Sequence, residues 1–280
     1  MTPSSMESVS HAPAHSSSSS ASSSSQDSQH KIWIQAQDEL KQKLIAQDDF
    51  QWRLSTTAPT SDQDEVEVLK YVGGVDISYS KQDTSMACGT LVVLDIHTLQ
   101  VVYEDHSLVT LTVPYVPGFL AFREAPVLLE LLEKMKASAS LFYPQLLMVD
   151  GNGILHPRGF GLACHLGIVA NLPTIGIGKN LHHVDGLTLT GVRQLLKAKE
   201  DCVEDFVTLI GCSGRIWGVA VRSTDGCMKP IFISVGHRIS LDTAIKTVIK
   251  TCKYRVPEPI RQADIRSREY LRKHQAMISK

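Results

Sequence analysis

The sequence predicts an α/β fold, a mixed sheet with helices on both faces, and three observations carry that expectation. Three β-rich runs come first, in "VLKYVGGVDISYS" and "MACGTLVVLDIHTLQVVYEDHSLVTLTV". The break at "DIHTL" is a turn signal, so these runs read as an antiparallel meander. Two short, continuously apolar runs follow, "PQLLMVDGNG" and "PTIGIGK", the pattern of strands buried on both faces of a parallel sheet. Helix-like segments alternate with these later strands, which is how layered α/β folds are built.

The elements follow in order. Residues 1–30, with the tract "SHAPAHSSSSSASSSSQDSQH", offer almost nothing to bury and are expected to be a disordered Ser-rich tail, with one domain over 31–280. The tail has no Lys or Arg before Lys31 and no apolar core, which argues against a secretory signal or an Arg-rich transit peptide. No apolar stretch reaches the roughly 18 residues a membrane span needs. "KIWIQAQDELKQKLIAQDDF" reads as an amphipathic helix, and "TTAPTSDQD" as a linker. "PYVPGF" is a proline-bounded loop. It leads into the helix "LAFREAPVLLELLEKMKAS", with Pro126 in the first turn or kinking a helix that starts earlier. "GFGLACHLGIVANL" is a helix between the two buried strands. "DFVTLIG", "RIWGVAVRS" and "PIFISVGH" are later strands, followed by the helices "SLDTAIKTVIKTCKYR" and the basic "PEPIRQADIRSREYLRKH".

Lys plus Arg number 28 against 29 Asp plus Glu, a net charge of -1, so any contact with a polyanion must come from basic groups gathered locally. Candidates are Arg158, Lys253, Arg255, Arg261, Arg266 and Arg268. The six cysteines form no CxxC pair, which argues against the usual structural zinc sites and fits a reduced intracellular setting. His182 and His183 are adjacent, so their side chains diverge and read as surface residues. Trp52 and Trp217 read as core.

Three carboxylates stand where apolar residues belong. Asp76 interrupts "YVGGVDISY", Asp150 ends "LLMVD", and Glu124 sits among apolar neighbours in "FREAPVLLELLEKM". A buried carboxylate needs a partner or a proton. If the two strands are neighbours in the sheet, Asp76 and Asp150 converge, and a divalent cation relieves their repulsion. Oxygen ligands favour Mg²⁺ or Mn²⁺ over zinc. Each acid alone also fits a plainer role: an edge or turn aspartate, or an exposed helix glutamate.

The strings "VGGVDISY", "PYVPGFLAFREAP", "VDGNGILHPRGFGLACHLG", "IGIGK", "SVGHRISLD" and "PEPIRQAD" occur in that order, and from about Tyr71 to Asp264 the chain resembles the endonuclease V family of inosine-directed nucleases. The resemblance implies a ribonuclease H-like fold with a five-stranded mixed sheet. It also implies an Mg²⁺ site, with Mn²⁺ able to substitute, held by Asp76, Glu124 and Asp150. It assigns His237 as a further ligand or a group near the attacking water, and Lys179 as a contact to the scissile phosphate. Tyr115 in "PYVP" resembles the family's wedge residue. Family members cut the second phosphodiester bond 3′ to inosine; bacterial members act on deoxyinosine in DNA, and eukaryotic members mainly on inosine in RNA. The partner implied is therefore inosine-containing single-stranded RNA, with deoxyinosine DNA as a secondary substrate. The protein is expected to be a monomer in cytoplasm and nucleus, with the nucleolus as a further option.

The chemistry suits those roles. Phosphodiester hydrolysis needs an oriented water and charge relief on the phosphate, which a cation and a fixed lysine can supply. Inosine carries a carbonyl where adenosine carries an amino group, so a backbone N–H facing that position discriminates by about 1–3 kcal/mol. Gly151 and Gly153 are expected to bring such amides to a flipped base, with His156 and Arg158 in the same loop. Stacking Tyr115 on a base is worth about 1–3 kcal/mol. Asp264 reads equally as a further acid near the cation or as a salt-bridge partner. Two other classes remain in view: a silent inosine-RNA binder, which has no need of three converging acids, and a phosphotransferase of the actin or sugar-kinase type, for which no pair of phosphate-binding hairpins is found.

Overall fold

The structure is a computed structural model that describes residues 20–54, 67–198, 206–224 and 226–278. Most of the Ser-rich tail and the whole "TTAPTSDQD" linker lie outside the described residues. The chain divides into a short unit, Met1–Ala36, and a main unit, Gln37–Lys280. Helix α1 (Ser20–Lys41) starts ahead of Lys31 and ends before "LIAQDDF", so the expected division at residue 30 falls inside it.

The main unit holds the sheet. β1 (Tyr71–Tyr79), β2 (Met86–Asp95) and β3 (Val101–Thr110) form the expected antiparallel meander. β4 (Leu146–Asp150) and β5 (Thr174–Gly178) add in parallel to β1 and to each other. β6 (Phe206–Ile210), β7 (Ile216–Val221) and β8 (Ile231–His237) continue antiparallel, giving the order β3-β2-β1-β4-β5-β8-β7-β6. Among the described residues the sheet thus has eight strands where five were expected. The expected five form one half. The other three extend it because β5, fully buried, must pair its outer row of backbone groups, and β8 supplies the partners.

Side-chain alternation divides the core between two faces. Leu147 and Val149 pack with Leu128, Leu132 and Leu166 from α2 (Leu120–Ala137) and α3 (Leu162–Ala170). Leu146 and Met148 pack on the opposite side with Val248 and Ile260 from α5 (Leu241–Lys250) and α6 (Glu258–Ile278). Pro126 lies beyond the first turn of α2, inside the helix, where it has no N–H to donate. The sequence reading missed α4 (Leu189–Ala198), which buries only Val192 and Leu196 and carries helix-weakening Thr190 and Gly191.

Candidate active site

Residues Val72–Val75 pair in register with Leu146–Val149, so the next residues, Asp76 and Asp150, finish side by side on adjacent strands, about 4.8 Å apart. Both point to the α5–α6 face. There α6 lies directly on β1: a Cβ at Gly74 would come within 2.1 Å of the Pro259 carbonyl oxygen, so only glycine admits the helix. From Pro259 to Asp264 the helix rises about 7.5 Å, close to the ~6.6 Å from Gly74 to Asp76 along the strand. Asp264 therefore arrives over Asp76. Ligand oxygens of Asp76, Asp150 and Asp264 all lie within 4.8 Å of one another.

Lys179, just past β5, places Nζ 2.5 Å from Asp150 Oδ2 and 3.5 Å from Asp264 Oδ1. Arg268 donates to the same Asp264 Oδ1 at 2.6 Å. Asp76 is 6% exposed, and its Oδ2 faces the hydroxyls of Ser78 and Ser267 at 3.2 and 3.0 Å, themselves 2.6 Å apart. Burial, and then the hydrogen bond and charge of Asp150, hold the Asp76 carboxyl well above the usual range, although Lys179 opposes them. Burial works against the Lys179 charge, but Asp150, Asp76 and Asp264 outweigh it and raise that amine's pKa. The lysine ammonium thus already sits where three carboxylates meet. The donors are all hard carboxylate oxygens, and the set fits a divalent cation of the Mg²⁺ or Mn²⁺ kind.

Glu124 comes from α2, on the other face. It is buried and accepts a 2.5 Å hydrogen bond from the hydroxyl of Tyr79, whose odd position on β1 also faces α2. Burial pushes its carboxyl up to about 7; the Tyr79 hydrogen bond opposes this and the charge of Asp150 adds to it. Glu124 is therefore within the electrostatic reach of Asp150 but outside the cluster of three.

His237 is placed elsewhere. It pairs with Thr174 at the start of β5, whereas Asp150 pairs with Ile177, so about 10 Å of strand separates the two levels. Its Nδ1 accepts from the Ile45 amide at 3.3 Å. The expected role for His237 at the cation is corrected: the antiparallel course of β8 carries its last residue to the opposite end of the sheet. Asp264 occupies the place expected for it, both as a member of the cluster and as a salt-bridge partner.

Tyr115 is 66% exposed at the loop between β3 and α2. The glycine expectation is also corrected. The Gly153 amide donates to Ser234 Oγ at 2.9 Å, and a Cβ there would stand 2.0 Å from the Val235 carbonyl oxygen. The Gly151 amide bonds the Ile177 carbonyl at 3.1 Å. These glycines dock the loop onto β8 and β5, and both amides are used inside the fold. His156 is buried and accepts the Arg158 amide at Nδ1; burial first, then His182, Arg158 and Lys41, bring its pKa down to about 4. Arg158 reaches Gln37 and Asp38 on α1. Arg255 bonds the Lys179 carbonyl at 2.8 Å, Arg261 stacks on Tyr254, and Arg266 pairs with Glu104, while Lys253 is exposed. The sequence reading missed Ser78, Ser267 and Asn152, whose buried Oδ1 lies beside Gly178 with no hydrogen-bond partner among the described residues. Ser78 could have been found, standing two residues after Asp76 on the same strand face; the other two carry no local signal.

A ribonuclease H-like sheet with carboxylates side by side on its two central strands, a third from the covering helix and a lysine among them defines a nuclease. Comparison with known proteins makes this specific. The Endonuclease V family model matches residues 52–265. Mouse endonuclease V is 46% identical over 242 residues, 86% of this chain and 69% of the mouse protein. The human protein is 44% identical over 246 residues, covering 86% and 83%. The catalytic domain of human endonuclease V has a TM-score of 0.79 at 43% identity, covering 89% of this chain and 98% of that one. Endonuclease V from Ciona intestinalis, solved in complex with a 24-mer DNA containing an inosine followed by a ribo-adenosine, has a TM-score of 0.79 at 37% identity, covering 88% and 99%. The chain belongs to the endonuclease V family.

Proposed function

We propose that this protein is an Mg²⁺-dependent endoribonuclease that cleaves single-stranded RNA at the second phosphodiester bond 3′ to inosine, with activity on deoxyinosine DNA. The observation that carries the reading is the meeting of Asp76, Asp150 and Asp264 within 4.8 Å. A divalent cation bound there supplies charge relief to the phosphate and orients the attacking water. Asp76, Asp150 and Asp264 hold it, and Ser78 and Ser267 fix the Asp76 carboxylate. Lys179, freed from Asp150, moves its ammonium to the scissile phosphate. Glu124, with a pKa raised to about 7, is suited to accept or return a proton at the edge of the site near neutral pH. Tyr115 stacks where the base leaves its neighbours.

The preference for RNA draws support from the Ciona complex. Its ribo-adenosine is the nucleotide that follows inosine, so its 2′-hydroxyl adjoins the second bond. The enzyme is proposed to act as a monomer in cytoplasm and nucleus. The test uses three single-stranded oligomers with one inosine: all RNA, all DNA, and DNA with a single ribonucleotide after the inosine. Cutting of RNA and of the chimera, lost with EDTA and in Asp76→Ala, is the expected result. Equal cutting by the variant overturns the site, and faster cutting of all-DNA overturns the RNA preference alone.

A further inference from the structure

Gln37 precedes the segment matched by the family model, yet it is 1% exposed and joins the two loops that flank the site. Its Nε2 donates to the Gly118 carbonyl at 3.2 Å and to the Phe160 carbonyl at 2.8 Å. Its Oε1 accepts from Arg158 Nε. Both amide hydrogens and the amide oxygen are thus engaged. Gly118 ends the loop that bears Tyr115, and its φ of +85° is a left-handed turn that glycine alone adopts readily. Phe160 and Arg158 end the glycine-rich loop that follows Asp150.

Other contacts repeat the connection. Lys41 Nζ, one helical turn after Gln37, bonds the Arg158 carbonyl at 2.8 Å, and Arg158 Nη2 pairs with Asp38 at 2.8 Å. The Arg158 guanidinium also lies over the ring of Phe119, 5.5 Å from its centroid, so the two loops meet directly beneath the clamp.

We infer that Gln37 is a positioning residue: it ties the Tyr115 loop to the glycine-rich loop and so fixes the gap into which the extruded base enters. It acts through Tyr115 and touches no reacting atom. The inference rests on the proposed inosine-directed activity, but part of its test is independent of it. Glutamate at this position keeps the acceptor for Arg158 and turns two donors into a carboxylate facing two carbonyls. Gln37→Glu therefore separates the loops while leaving the arginine contact. Gln37→Met, of similar length and apolar, serves if the first variant does not fold.

Hydrogen exchange of the free protein in residues 111–119 is expected to rise at least tenfold in the variant, with β1 and β4 unchanged. Unaltered exchange in this loop overturns the clamp whatever the substrate proves to be. On an inosine oligomer, kcat is expected to fall tenfold or more with KM within threefold. In a Tyr115→Ala background the same substitution should cost less than twofold, because both act through one loop. Losses that multiply place Gln37 outside the wedge and refute the inference. Wild-type protein that cuts no faster beside inosine defeats the proposed function instead, and the exchange result still decides the clamp.

Discussion

Replacing Glu124 with glutamine converts the burial of one carboxyl into a measurable pH dependence of stability. Its pKa is about 7 in the folded protein against an ordinary 4.5. A raised carboxyl binds its proton more tightly in the folded state. Its contribution is therefore fully present below 4.5 and is lost as pH rises through about 7. At 1.36 kcal/mol per pH unit, that difference amounts to about 3 kcal/mol. Glutamine keeps an acceptor for the Tyr79 hydroxyl and carries no charge, so the variant should lack this slope. Urea unfolding in EDTA from pH 4 to pH 8 is the assay. Relative to its value at pH 4, the variant should gain about 3 kcal/mol over wild type by pH 8. Asp76, raised in the same direction, keeps a residual slope in both proteins. Parallel profiles for the two would refute the claim that Glu124 is held in a low-dielectric wall beside Asp150.

Asp264→Asn should cut cleavage by about 10²-fold or more with little change in RNA binding, read by single-turnover kinetics; wild-type rates would remove Asp264 from the site. His237→Asn should cleave within about threefold of wild type at equal folded concentration, because His237 lies at the other end of the sheet; a loss on the order of 10²-fold would place its imidazole in the chemistry. Gly153→Ala, with its Cβ aimed at the Val235 carbonyl oxygen, should lower unfolding free energy by about 3 kcal/mol, read by urea titration; a neutral result would show that the loop is free to move away from β8.

Local pattern alone determined much of this protein. The meander, the two buried strands, and the carboxylates that break apolar runs at Asp76 and Asp150 follow from period-2 alternation and from the cost of burying a charge, and both are written in consecutive residues. The ordered motifs pointed to the family that the comparisons then showed. Tertiary structure decided the rest, because it depends on which distant segments touch. Asp264 joined the cluster, and not His237, because Gly74 lets α6 close onto β1 while β8 runs antiparallel to β5. Glu124 comes within electrostatic reach of Asp150 from α2, which covers the opposite face, and so stays outside the cluster of three aspartates. Gly151 and Gly153 serve packing because β8 lies against their loop, and Gln37 is buried because two loops distant in sequence fold over it. A side chain's type limits what it can bind, but its partners are fixed only when the packed chain brings them within a few ångströms.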